Sequence, residues 1–200
     1  MPLAATDTPT TQAPSRSAPA VNRLDAALLA VAVVAGVLLR FARLDAQSLW
    51  FDEGFSWWLS QQPVTHLWHL FDRDVQTPLY FALLRGWTLV AGDSAFALRA
   101  FGAMLSCLCL PLLWWVTRRL STPRVAAVAT LLLAVAPLQI QHAREARYYP
   151  LATLCVLGAL AFVILWRDTR RPLALLASGV CLAAALYTHN MMLLYAPALA

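Results

Sequence analysis

Two carboxylates stand side by side in Ser48-Leu49-Trp50-Phe51-Asp52-Glu53, with aromatic residues before them. Such a pair at an interface can act as a general base or offer oxygens to a divalent metal. The plainer reading is a helix N-terminus, where acids complement the macrodipole. The chain has no other adjacent pair of acids, and that draws the candidate site to Asp52 and Glu53. A second polar stretch is Asp74-Val75-Gln76-Thr77-Pro78-Leu79-Tyr80. Pro78 suits the first turn of a following helix with Thr77 as its cap, which accounts for both without any function. Asp74 is left over, as a solvated loop acid or a site carboxylate, and Tyr80 stands beside it as a substrate-binding candidate.

The third stretch is Gln139-Ile140-Gln141-His142-Ala143-Arg144-Glu145-Ala146-Arg147-Tyr148-Tyr149, between two apolar runs. Polar residues at the mouth of a membrane helix are a functional hypothesis by default. Arginine holds phosphate through paired, charge-assisted hydrogen bonds, so Arg144 and Arg147 are anion-binding candidates. His142, Glu145 and Tyr148 accompany them. The competing reading is an internal pair between Glu145 and an arginine, with the tyrosines as interface anchors. Tyr187-Thr188-His189-Asn190 is the fourth stretch, and His189 at a helix end is as readily structural as functional.

The elements that must position these residues are membrane helices. The 200 residues are 60% hydrophobic and 12% charged, with a mean hydropathy of +0.63. Soluble domains carry about 25% charged residues. The net charge of +5 comes from arginine alone, since the sequence has no lysine. Most of the arginines fall in short loops between apolar runs, where they read as topology signals and not as a nucleic-acid surface. No P-loop or dinucleotide fingerprint occurs, so no nucleotide cofactor is expected. Cys107, Cys109, Cys155 and Cys181 lie inside apolar runs without metal-binding spacing, and read as buried, inert thiols.

Residues 1–22 are rich in Ala, Pro, Thr and Ser and predict a disordered tail. Leu24 to Leu44 reads as an uncleaved first membrane helix, because no small-residue cleavage site follows it. Ala46 to Gly92 holds five of the eight tryptophans and predicts amphipathic helices at the membrane–water interface. Within it, the apolar stretch from Pro78 to Ala91 is only about 21 Å long as a helix and carries Arg85, which suits an interfacial or re-entrant helix. Further spans are expected at about 96–116, 125–141, 149–166 and 173–188, with another starting at 191. Arg118, Arg119, Arg124, Arg167, Arg170 and Arg171 then share one side, which the positive-inside rule makes cytoplasmic. The N-terminus shares that side, and all four polar stretches face the cell exterior or periplasm. The apolar run that opens at Met191 has barely begun at Ala200, and the sequence reads as the N-terminal part of a longer chain.

Together and in this order, SLWFDEGFS, DVQTPLYFALLRGW, the Arg99-to-Arg119 span, APLQIQHAREARYY and ALYTHN resemble glycosyltransferase family 39. This family holds protein O-mannosyltransferases and lipid A aminoarabinose transferases, within the GT-C superfamily. The resemblance runs from about Leu44 to Asn190 and implies an all-α, polytopic helical bundle in the inner (plasma) membrane. It also implies sugar transfer from a polyprenyl-phosphate carrier to an extracytoplasmic acceptor, which could be protein, lipid or wall glycan. Asp52 would match the acid of the family's first extracytoplasmic loop, taken as the catalytic base or its close neighbour, and Glu53 would accompany it through a divalent metal or the acceptor. Arg144 and Arg147 would meet the carrier phosphate. Many relatives have His-Pro-Pro-Leu-Tyr where this chain has Gln76-Thr77-Pro78-Leu79-Tyr80, and His142 falls where relatives vary. A transporter, or a non-catalytic lipid-binding or accessory protein, is the alternative, although no internal repeat of the transporter kind is visible.

Overall fold

The computed structural model describes residues 20–63, 65, 67 and 77–189. Most of the expected N-terminal tail, Asp74, Asn190 and the run from Met191 lie outside the described residues. Within them the chain is helical throughout, an all-α polytopic membrane protein. The helices are α1 (Arg23–Phe41), α2 (Phe51–Gln61), α3 (Leu79–Ala91), α4 (Ala95–Leu120), α5 (Pro123–Val135), α6 (Pro137–Ala143), α7 (Tyr149–Thr169) and α8 (Pro172–Leu186).

Their starts follow from the sequence. The side chains of Asn22, Ser94 and Thr122 accept from the backbone N–H three residues on, capping α1, α4 and α5. Proline occupies the first turn of α5, α6, α7 and α8, where a missing N–H costs nothing. One expected cap is absent. Pro78, not Thr77, precedes α3, and the Thr77 hydroxyl is buried without a hydrogen-bond partner among the described residues. The first N–H of α3 donates instead to the Tyr187 carbonyl at 3.0 Å, tying α3 to the end of α8.

Three helices, α1, α4 and α7, are long and apolar enough to cross a membrane. The run expected as one span over 125–141 is broken at Ala136 into α5 and α6, which meet at 59°. Pro137 explains the break, because its ring and missing N–H end the preceding helix. The break leaves carbonyls at the end of α5 without helical donors. Arg40 supplies them: Nη1 donates to Ala134 O at 2.9 Å and Nη2 to Leu133 O at 3.1 Å. Its Nε reaches the Ser106 hydroxyl at 2.8 Å. Gly36 makes room for this clamp, since a Cβ there would stand 2.5 Å from Leu110 and 3.3 Å from Arg40 Nη1.

Helix α4 is the axis of the bundle and packs against α1, α5 and α7. Its 26 residues give two well-separated ends. At one end Arg119 pairs with Asp168 at 2.7 Å and Arg124 pairs with Asp25. Arg118, Arg119 and Arg170 also lie over the Trp114, Trp115 and Trp166 rings. Arg99 sits near the other end, about 30 Å away by helical rise and so about one hydrocarbon thickness. The polar stretches gather there. Not every arginine is a loop signal, however: Arg40 and Arg99 are buried inside α1 and α4. Of the cysteines, only Cys109 is fully buried; the other three are half-buried, and all four are free.

Candidate functional site

The mouth of the bundle is organised around Glu53, which is fully buried in the first turn of α2. Its Oε1 accepts from Arg99 Nε at 2.8 Å and from the Ala146 N–H at 2.9 Å. Its Oε2 accepts from Arg99 Nη2 at 2.6 Å and from the Trp50 N–H at 3.3 Å. The last contact is the backward half of a capping box. Arg99 spends its other hydrogens on the chain leading into α2: Nη1 donates to Leu44 O and Gln47 O, and Nη2 to Ser48 O. All five N–H groups of Arg99 are thereby used. One ion pair thus fastens the 44–48 loop, α2, α4 and the 145–148 turn together. The turn also approaches α4 closely at Gly102, where a Cβ would stand 3.0 Å from Glu145 O and 3.2 Å from Ala143 O.

Asp52, the neighbouring acid, points elsewhere and is a third exposed, its side chain at 36%. Its Oδ2 lies 3.5 Å from Arg147 Nη1. The Arg147 side chain is 7% exposed, yet its Nε and Nη1 have no hydrogen-bond partner among the described residues. Around this pair stand aromatic rings. Arg147 lies 5.0 Å over Tyr148, whose ring is 4.5 Å from His189 and 6.5 Å from Tyr80. The Tyr80 hydroxyl is buried without a hydrogen-bond partner among the described residues, and burial pushes its phenol well above the usual range, so it stands as a neutral donor. His189 is held below the ordinary histidine value, first by burial and then by the charge of Arg147. Beneath these rings Leu59, Phe81, Leu84, Leu98, Phe101 and Leu151 form the core that carries α2 and α3 on the bundle.

The structure brings Asp52, Arg147, Tyr148, Tyr80 and His189 to one place. Arg144 is not part of that group. It lines a separate cavity with Glu145, to which neither Asp52 nor Arg147 contributes. His142 stacks on Tyr149 at 4.2 Å, and its Nδ1 lies 3.7 Å from Glu145. Four N–H donors occupy the Glu53 carboxylate, two on each oxygen, whereas Asp52 accepts none of them. No group of three His, Cys, Asp or Glu suited to a metal occurs among the described residues. Arg99 and Arg40 were not singled out as site residues by spacing, although an arginine within an apolar span is itself the signal that finds them.

An acid and an under-satisfied arginine thus stand together at one mouth of a helical membrane bundle. Residues 75–200 match the dolichyl-phosphate-mannose-protein mannosyltransferase family, and the chain belongs to it. It is a membrane glycosyltransferase of the GT-C type. The matched stretch contains Tyr80, the 142–149 turn and His189, while Asp52 and Glu53 precede it. No curated protein and no solved structure matches the chain.

Proposed function

We propose that this protein transfers a sugar from a polyprenyl-phosphate carrier to a hydroxyl acceptor on the extracytoplasmic side of the inner membrane, with inversion at the anomeric carbon. The observation that carries this reading is Arg147, a buried guanidinium with two unpartnered nitrogens beside the half-open carboxylate of Asp52. A buried donor without an acceptor costs about 1–3 kcal/mol, and a charged one more. A phosphate oxygen would remove that cost.

Asp52 takes the proton of the acceptor hydroxyl, whose oxygen forms the new bond to the anomeric carbon. The bond from that carbon to the phosphate oxygen breaks, and its electron pair leaves with the carrier phosphate. Arg147 meets the charge that develops on that oxygen, and the neutral Tyr80 hydroxyl is placed to donate to the same region. Tyr148 and His189 wall the site. A lipid-anchored donor suits a site at a helix mouth, because its tail can lie in the bilayer while its phosphate stays at the interface.

The test is Asp52→Asn in the full-length protein, reconstituted with a polyprenyl-phosphate sugar. Loss of a positioned base costs roughly 10²-fold or more in rate. Donor consumption should fall by that factor with donor binding retained; unchanged consumption would remove Asp52 from the mechanism.

A further inference from the structure

The cavity beside the Asp52–Arg147 site has a chemistry of its own. It measures about 970 Å³ and is lined by the 43–50 loop, the α5–α6 break and α6. Two arginines, Arg43 and Arg144, reach it from opposite chain segments. Neither side chain makes a hydrogen bond or ion pair among the described residues. Of the carboxylates in the wall, Glu53 is neutralised by Arg99, while Glu145 accepts from the Gln141 amide at 3.1 Å, lies 3.7 Å from His142 and keeps its charge, so the lining arginines outnumber the lining acids by one. The cavity therefore offers two free guanidinium forks. One side of its wall is apolar, with Leu44, Val135, Pro137 and Ile140, while Gln47, Ser48 and Gln141 add polar groups elsewhere. Val135 is 43% exposed, and Leu132 and Leu138 beside it are 63% and 61% exposed, so the apolar wall runs on into a bare apolar stripe of the bundle. In a membrane protein that stripe faces acyl chains.

Arg43 adds a second kind of observation. Its backbone φ of 55° lies in the left-handed region, which a non-glycine residue enters at a cost of roughly 1–2 kcal/mol. A left-handed residue and a basic side chain both suit the end of a helix, as at Arg170 after α7, and at the end of α1 they leave the exposed Arg43 side chain at the cavity.

We propose that this cavity binds the phosphate headgroup of an anionic membrane lipid, with Arg43 and Arg144 on the phosphate and the acyl chain along Leu132, Val135 and Leu138. The site is distinct from the transfer site, and its occupant is a second lipid, not the sugar donor. Guanidinium forks match phosphate oxygens, and the volume is ample for a headgroup with the glycerol behind it.

The experiment compares the full chain in phosphatidylcholine nanodiscs with and without phosphatidylglycerol, reading the melting temperature and the lipid retained in native mass spectra. The wild type should gain stability and retained lipid with phosphatidylglycerol. Arg43→Gln with Arg144→Gln should weaken retention about tenfold or more, the loss expected for two charge-assisted hydrogen bonds. Arg43→Gly should bind less lipid while melting no lower in phosphatidylcholine alone, because glycine relieves the left-handed strain; a merely structural arginine would not separate the two readouts. The proposal is overturned if phosphatidylglycerol has no effect on the wild type, or if only Arg147→Gln abolishes it. It is equally overturned if inorganic phosphate at matched concentration produces the whole shift, since the ligand would then be a free anion and not a lipid.

Discussion

Two arginines at the same mouth of the bundle have opposite fates. Arg99 gives all five of its N–H groups to Glu53 and to three loop carbonyls. Arg147, no more exposed, leaves Nε and Nη1 without a hydrogen-bond partner among the described residues and meets Asp52 only at 3.5 Å. Folding has used the first arginine completely and held the second in reserve. Glu53 and Asp52 divide in the same way, one sealed into the fold and the other half-open. An adjacent pair of acids thus splits into a positioning residue and a candidate catalytic one. The reason is helical geometry: neighbouring residues in the first turn of α2 point about 100° apart, so only one can face the interior.

If that division is right, Glu53→Gln should produce the largest effect on folding. An amide cannot neutralise Arg99, and its NH₂ would face N–H donors. Removing one partner of a buried ion pair costs about 3–5 kcal/mol. The yield and melting temperature of the purified full-length protein should both drop, whereas Asp52→Asn should melt with the wild type. Equal melting of the two variants would erase the comparison.

Arg147→Gln should give the next largest effect, and of the opposite kind. Transfer should slow by roughly 10²-fold or more, as for loss of a donor to a developing oxyanion. Stability should hold or rise, because two unsatisfied buried N–H groups disappear. Measuring kcat and the melting temperature on one preparation checks both halves. A variant that melts lower and still turns over would place Arg147 beside Arg99 as a structural residue.

Hydropathy made most of the frame legible. Apolar length predicts the α1, α4 and α7 helices, and the paired arginines mark the opposite end of the bundle from the acids. The break at Ala136 was hidden by a run that stays apolar on both sides, although Pro137 within it is the residue that breaks helices. The site was legible as a set of stretches on one face, but not as pairs. Glu53 and Arg99 are 46 residues apart, and no local spacing connects them. The sequence pattern likewise treats Arg144 and Arg147 as equivalents. A short turn separates them: the Arg147 N–H donates to Glu145 O at 2.8 Å, and Arg144 lines the cavity whereas Arg147 stands beside Asp52. Thr77 shows the converse error, where a good local cap is overridden by a tertiary bond from Leu79 to Tyr187.

The finest test of the comparison is pH. Burial and Arg147 both oppose protonation of His189, so its folded value lies below the unfolded one. As pH falls below about 6.5, the unfolded chain takes up a proton that the folded chain resists. Stability is therefore complete above that pH and erodes toward acid. His189→Gln removes the proton-binding difference, so its melting temperature should decline less between neutral pH and pH ~5. The same slope should also flatten in Arg147→Gln, because one of the two causes is gone. If His189→Gln flattens the slope and Arg147→Gln leaves it unchanged, burial alone sets the histidine. Asp52 would then compensate the charge of Arg147, and the two arginines would differ in hydrogen bonding alone.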